Sequence, residues 1–121
     1  MAHVIAFVDD LFFQAKLVET AKQLSVELRS CATPDALATE IATGSAPKLV
    51  IVDLNARNGP IEVIEHLQTR APEIPLVAFL SHVQTDLAER ARAAGCREVM
   101  PRSQFTRELA TILARAKSES S

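Results

Sequence analysis

Leu49-Val50-Ile51-Val52-Asp53 is the stretch whose reading decides the fold. Four apolar residues in succession leave no polar face, so the run does not suit a strand with one side in water. Continuous rather than alternating hydrophobicity suits a strand covered on both faces, as in a parallel sheet. His3–Val8 and Leu76–Leu80 have the same character, whereas Val26–Ser30 and Glu98–Met100 are mixed. These five short runs are the expected strands.

Helical patterns separate them. Leu17, Val18, Ala21 and Leu24 recur at helical spacing, followed by Leu37, Ala38 and Ile41, then Pro60, Val63, Ile64 and Leu67. Leu87, Ala91 and Ala94 line a fourth pattern, and Leu109, Ile112, Leu113 and Ala116 a fifth. Thr33-Pro34 reads as an N-cap with Pro at the first helical position, and Thr85 and Thr106 are further N-cap candidates. Gly44 and Gly95 stand where a left-handed C-cap wants glycine, and Pro47 and Pro72 stop the second and third helices. The order is a strand and a helix repeated five times. Parallel neighbours need crossovers, and right-handed crossovers put helices on both faces. The expected fold is therefore α/β: a five-stranded parallel doubly wound sheet of order 2-1-3-4-5 with five helices, flavodoxin-like. Residues 1–116 read as one domain and 117–121 as a disordered tail.

With 121 residues, 48% apolar and 23% charged, there is room for one core and not for two. The net charge of −2 and the absence of a basic stripe argue against nucleic-acid binding, and the lack of Trp and Tyr removes stacking platforms for single strands. Cys31 and Cys96 form no CxxC pair and read as buried thiols in a reducing compartment. His3, His66 and His82 lack metal-ligand spacing. The first apolar run is too short for a signal peptide and no run approaches a membrane span, so a soluble, cytoplasmic protein is expected.

Ligand sites of such sheets lie beyond the carboxyl ends of the strands, at the switch in strand order. The first expected strand leads into Asp9-Asp10, the third ends in Asp53, the fourth leads into Ser81, and the fifth into Met100-Pro101-Arg102-Ser103. Three carboxylates, a hydroxyl and a cation thus converge on one crevice. Two carboxylates about 4 Å apart repel by roughly 4 kcal/mol at an effective dielectric near 20, so the cluster calls for a cation. Hard oxygen ligands suit Mg²⁺, and a carboxylate beside Mg²⁺ can attack a phosphoryl group. Asp9-Asp10 has a plainer reading as an acidic cap at a helix N-terminus.

The pattern from Val4 to about Leu113 resembles the receiver domains of bacterial two-component response regulators. The resemblance implies Mg²⁺ held by Asp9, Asp10, Asp53 and the backbone carbonyl of Asn55. It implies Asp53 as phosphoacceptor, and Ser81 and Arg102 as the groups that hold the phosphoryl oxygens. A histidine kinase or phosphotransfer protein would donate the group, a downstream protein would read the result, and the domain would not otherwise be an enzyme. No DNA-binding effector follows, so output through a partner protein is the expectation. The sequence departs from the family at four places. Arg102 stands where Lys is usual, Ser103 where Pro is usual, and Val99 where many members have a switching Tyr or Phe. The segment Leu54–Gly59 also lacks the common Met-Pro and is about two residues shorter. These departures sustain an alternative: a non-phosphorylated pseudo-receiver acting as a protein-interaction module.

Competing chemistries are weaker. Ser81-His82 are adjacent and form no nucleophile elbow, and no Walker or dinucleotide glycine pattern exists. Leu11-Phe12-Phe13 either packs under the sheet or leaves one ring exposed near the acids. Arg90, Arg92 and Arg97 form a solvated face or a partner surface.

Overall fold

The computed structural model describes residues 3–43, 46–81 and 85–118. In chain order the elements are β1 (His3–Phe7), α1 (Leu11–Gln23), β2 (Glu27–Cys31), α2 (Pro34–Thr43), β3 (Leu49–Asp53), α3 (Pro60–Arg70), β4 (Leu76–Leu80), α4 (Thr85–Ala93), β5 (Glu98–Pro101), α5 (Arg102–Arg107) and α6 (Leu109–Ser118). All strand pairs are parallel and the order is β2-β1-β3-β4-β5, as expected.

This order explains the hydrophobic patterns. β1, β3 and β4 are interior, and every residue of β3 and β4 is buried. β2 and β5 are the edges and retain exposed positions, which is why their sequences are mixed. Alternate residues of the central strands face opposite layers. Ile5, Phe7, Val50, Val52, Ala78 and Leu80 pack with Leu37, Ile64, Leu67 and Ala91 from α2, α3 and α4. Val4, Ala6, Ile51, Val77 and Phe79 pack with Leu17, Ala21, Ile112 and Leu113 from α1 and α6.

Several caps follow the expected chemistry. The Thr33 hydroxyl accepts the Ala36 amide at 3.1 Å, with Pro34 as the first residue of α2. At the end of α4, Cys96 N–H donates to Ala91 O and Gly95 N–H to Arg92 O, with Gly95 at φ 117°. The same bonding pattern closes α1 without glycine: Val26 N–H donates to Ala21 O and Ser25 N–H to Lys22 O, with Ser25 at φ 58°. Thr85, expected as an N-cap, is instead the first residue of α4, while Gly44 and His82 lie outside the described residues.

The C-terminal helical segment differs from expectation. Thr106 is not an N-cap; it lies inside α5, which begins directly at Arg102. Pro101 sets φ at −63° and, with ψ at 150°, both ends β5 and serves as the N-cap of α5. A break at Glu108 then separates α5 from α6, so the last expected helix is two, and the described residues hold six.

Phe13, Phe79 and Phe105 form an aromatic cluster beneath the sheet, with ring centroids 4.5 to 5.9 Å apart. Of the pair Phe12 and Phe13, Phe13 is buried while Phe12 is 92% exposed. Phe105→Ala is therefore expected to cost about 3–5 kcal/mol in urea unfolding. Phe12→Ala should stay within about 0.5 kcal/mol of wild type.

Candidate functional site

β1, β3, β4 and β5 deliver Asp9, Asp10, Asp53, Ser81 and Arg102 to one end of the sheet, as the strand-end reading expected. Asp53 ends β3, is 2% exposed, and is the one charged side chain in the core among the described residues. Its Oδ1 accepts the Asn55 amide at 2.9 Å. Its Oδ2 lies 3.5 Å from Arg102 Nη2.

Asp10 is the N-cap of α1, and its Oδ1 accepts the Phe12 and Phe13 amides at 3.0 and 3.1 Å. The plain capping role is thus real for this residue. Its Oδ2 faces Arg102 Nη1 at 3.4 Å. The Phe13 amide bond is the main cause that lowers the Asp10 pKa, with Arg102 contributing against the opposing effect of desolvation. Asp9 turns to the loop after β3, where its Oδ2 accepts the Arg57 amide at 3.0 Å.

Arg102 thus joins the N-cap carboxylate of α1 to the carboxylate that ends β3. Its guanidinium carbon stands 4.9 Å from the Phe13 ring centroid and 5.4 Å from that of Phe79. A planar cation can stack on two rings and still reach two carboxylates with its outer nitrogens, whereas a lysine ammonium is a point charge with no face to stack. Arg102 Nε is buried and has no hydrogen-bond partner among the described residues. An unmet buried donor costs about 1–3 kcal/mol, so the ring stacking and the ion pairs offset a real penalty.

Asn55 enters through its amide and its side chain. Its Oδ1 accepts both the Ser81 amide, at 2.7 Å, and the Ser81 hydroxyl, at 2.9 Å. This ties the loop after β3 to the end of β4. The Asn58 side chain further holds that loop by donating to Ala32 O at 3.0 Å. Val99 packs at the edge of one core layer, and Ser103 is exposed on the first turn of α5.

Sequence reasoning missed three participants. Phe13 and Phe79 form the walls around Arg102, and Phe13 had been weighed only as a core or surface ring. Arg57 acts through its backbone amide, which carries no side-chain signature and so could not be read in advance.

The acids are engaged by groups of the chain itself. Among the described residues no three His, Cys, Asp or Glu side chains lie together as metal ligands would. The charge between Asp10 and Asp53 is supplied by Arg102 instead, and Asp9 Oδ2 and Asp10 Oδ1 already accept backbone amides.

With that geometry in view, solved structures give the comparison. NtrX from Brucella abortus in complex with ADP superposes at TM-score 0.81 and 20% identity, over 99% of this chain and 27% of that one. The phosphorylated cyanobacterial phytochrome response regulator RcpA gives TM-score 0.83 at 17% identity, over 99% of this chain and 96% of that one. The beryllofluoride-activated NtrC4 receiver domain gives TM-score 0.80 at 18% identity, with both chains wholly covered. This chain has the receiver-domain fold. It spans about a quarter of the NtrX chain, and matches the isolated receivers end to end. No family model and no curated protein matches the sequence. Among the described residues no helix is long and apolar enough to cross a membrane.

Burial pushes the Asp53 pKa up; the Asn55 amide and Arg102 oppose this, while the charges of Asp9 and Asp10 add to it. A raised folded-state value means that folding favours the protonated carboxyl. That contribution is complete below the ordinary value of 3.8 and is lost as pH rises through the folded value. Asp53→Asn, a fixed neutral analogue, should therefore melt at a higher temperature than wild type at pH 7. The gap should close as the pH is lowered toward 3 in paired thermal melts.

Proposed function

We propose that this chain is a receiver of two-component signalling in which Asp53 accepts a phosphoryl group from a phosphohistidine on a histidine kinase or phosphotransfer protein. The observation that carries the reading is the buried Asp53 carboxylate at the end of the central strand, with its Oδ2 toward Arg102 at 3.5 Å. An Asp53 oxygen forms the new O–P bond, the P–N bond to the donor imidazole breaks, and that imidazole nitrogen leaves with the electron pair and takes up a proton. Arg102 then exchanges its contact with the carboxylate for one with the phosphoryl oxygens, neutralising charge as it shifts from one acceptor to the other. Ser81 follows when its hydroxyl leaves Asn55 for the phosphoryl group. Since Ser81 and Asn55 link the ends of β4 and β3, this exchange reshapes the loop after β3 and biases one of two surface states. The exposed Arg90, Arg92 and Arg97 beside β5 are the surface that a downstream protein would read. In this role the chain is a phosphoacceptor in the cytoplasm, with no further substrate of its own.

A second reading has its own observation. The Ser81 hydroxyl already donates to Asn55, and the outer nitrogens of Arg102 already face Asp10 and Asp53, so these groups are engaged without a phosphoryl group. A pseudo-receiver that binds a partner through a fixed surface would look like this.

Intact-mass measurement after incubation with acetyl phosphate and MgCl₂ separates the two. The phosphoacceptor reading expects one added phosphoryl group on wild type and none on Asp53→Asn. Absence of addition on wild type, under conditions that label a control receiver, would instead leave the pseudo-receiver.

A further inference from the structure

We propose that the Arg102 guanidinium is the resident counter-ion of the acidic crevice, standing where a divalent metal would stand, so that the pocket is organised without metal. The inference rests on the receiver fold and not on whether Asp53 is phosphorylated.

Three observations carry it. First, a single planar group spans the two carboxylates, with Nη1 3.4 Å from Asp10 Oδ2 and Nη2 3.5 Å from Asp53 Oδ2. A cation placed between those two oxygens would compete with the guanidinium for the same charge. Second, the guanidinium is held there by more than its charge. It stacks on Phe13 and Phe79 at 4.9 and 5.4 Å, and its Cα belongs to the first turn of α5, immediately after Pro101. Moving it aside to admit an ion would break both ring contacts. Third, acceptor oxygens that an ion would use are already engaged. Asp10 Oδ1 receives two amides of α1, and Asp9 Oδ2 receives the Arg57 amide from the loop after β3. An ion would have to unwind a helix cap and release that loop to gain those ligands.

The arginine is the deciding residue. Lysine at this position would supply one charge but neither a two-pronged reach nor stacking faces, and would leave room between the acids. Removing the guanidinium should therefore leave Asp10 Oδ2 and Asp53 Oδ2 without their counter-ion and open to a divalent cation.

The test is a thermal melt of the full chain with MgCl₂ titrated against NaCl at constant ionic strength, with no phosphodonor present. Wild type is expected to show no change in melting temperature. Arg102→Gln is expected to melt lower in NaCl and to regain several degrees as MgCl₂ is raised, because a ligand that binds only the folded state raises its stability. A magnesium-dependent rise in wild type equal to that of the variant would overturn the proposal, and so would a variant that does not respond. Should Arg102→Gln not fold, Mn²⁺ added to wild type gives the readout by amide line broadening. Unaffected Asp9, Asp10 and Asp53 amides are the expected result, and selective broadening of them refutes the proposal. Since no arm uses phosphoryl transfer, failure of Asp53 to accept a phosphoryl group leaves this result standing, and the reverse also holds.

Discussion

A carboxylate on the central strand of a sheet covered on both faces must be reconciled with its surroundings. Every other residue of β3 is apolar and buried, as are all of β4 and all of β1 after His3. Burial disfavours the ionised form of Asp53, and the negative charges of Asp9 and Asp10 add to the strain. Two protein donors oppose this: the Asn55 amide on one oxygen and the Arg102 guanidinium beside the other. The geometry of the crevice follows from that balance. Arg102 must start a helix close to the end of β3, which the immediate passage from Pro101 into α5 provides, and it must be desolvated, which Phe13 and Phe79 accomplish.

The same pairing connects parts of the chain far apart in sequence. Asp10 caps α1 while facing Arg102, so the start of α1, the end of β3 and the start of α5 meet at one group. Asp9 and Asn58 hold the loop after β3 against β1 and the turn after β2, and Asn55 joins it to Ser81. A change in charge at Asp53 would be felt first by Arg102 and Ser81, and through them by β5, α5 and the end of β4. This is the physical content of a switch in this fold, whichever chemical event alters the charge.

Much of this was legible in the sequence because it depends on residue type at strand ends. The continuous run Leu49–Val52 marked a strand covered on both faces, and the two mixed runs proved to be the edges. The residues after β1, β4 and β5, and the one that ends β3, proved to lie at one end of the sheet. Strand bounds moved by a residue or so, as with β2 at Glu27–Cys31, since register is set by pairing rather than by local pattern. What could not be read was how the acids are satisfied. Backbone donors such as the Arg57 amide leave no trace in residue identity, and Thr106 resembles a cap until Pro101 is seen to start the helix five residues earlier. Arg102 was legible as the cation of the site, but its stacking on Phe13 and Phe79 was not, because rings so distant in sequence leave no local signal.

The central claim is that Arg102 and Asp53 are energetically coupled in the folded protein. A double-mutant cycle of Arg102→Gln and Asp53→Asn, followed by urea unfolding at pH 7, measures that coupling directly. The account predicts that Arg102→Gln is far more destabilising when Asp53 is present than when it is Asn, with an interaction energy of about 1–3 kcal/mol. Additivity of the two substitutions within about 0.5 kcal/mol would contradict it.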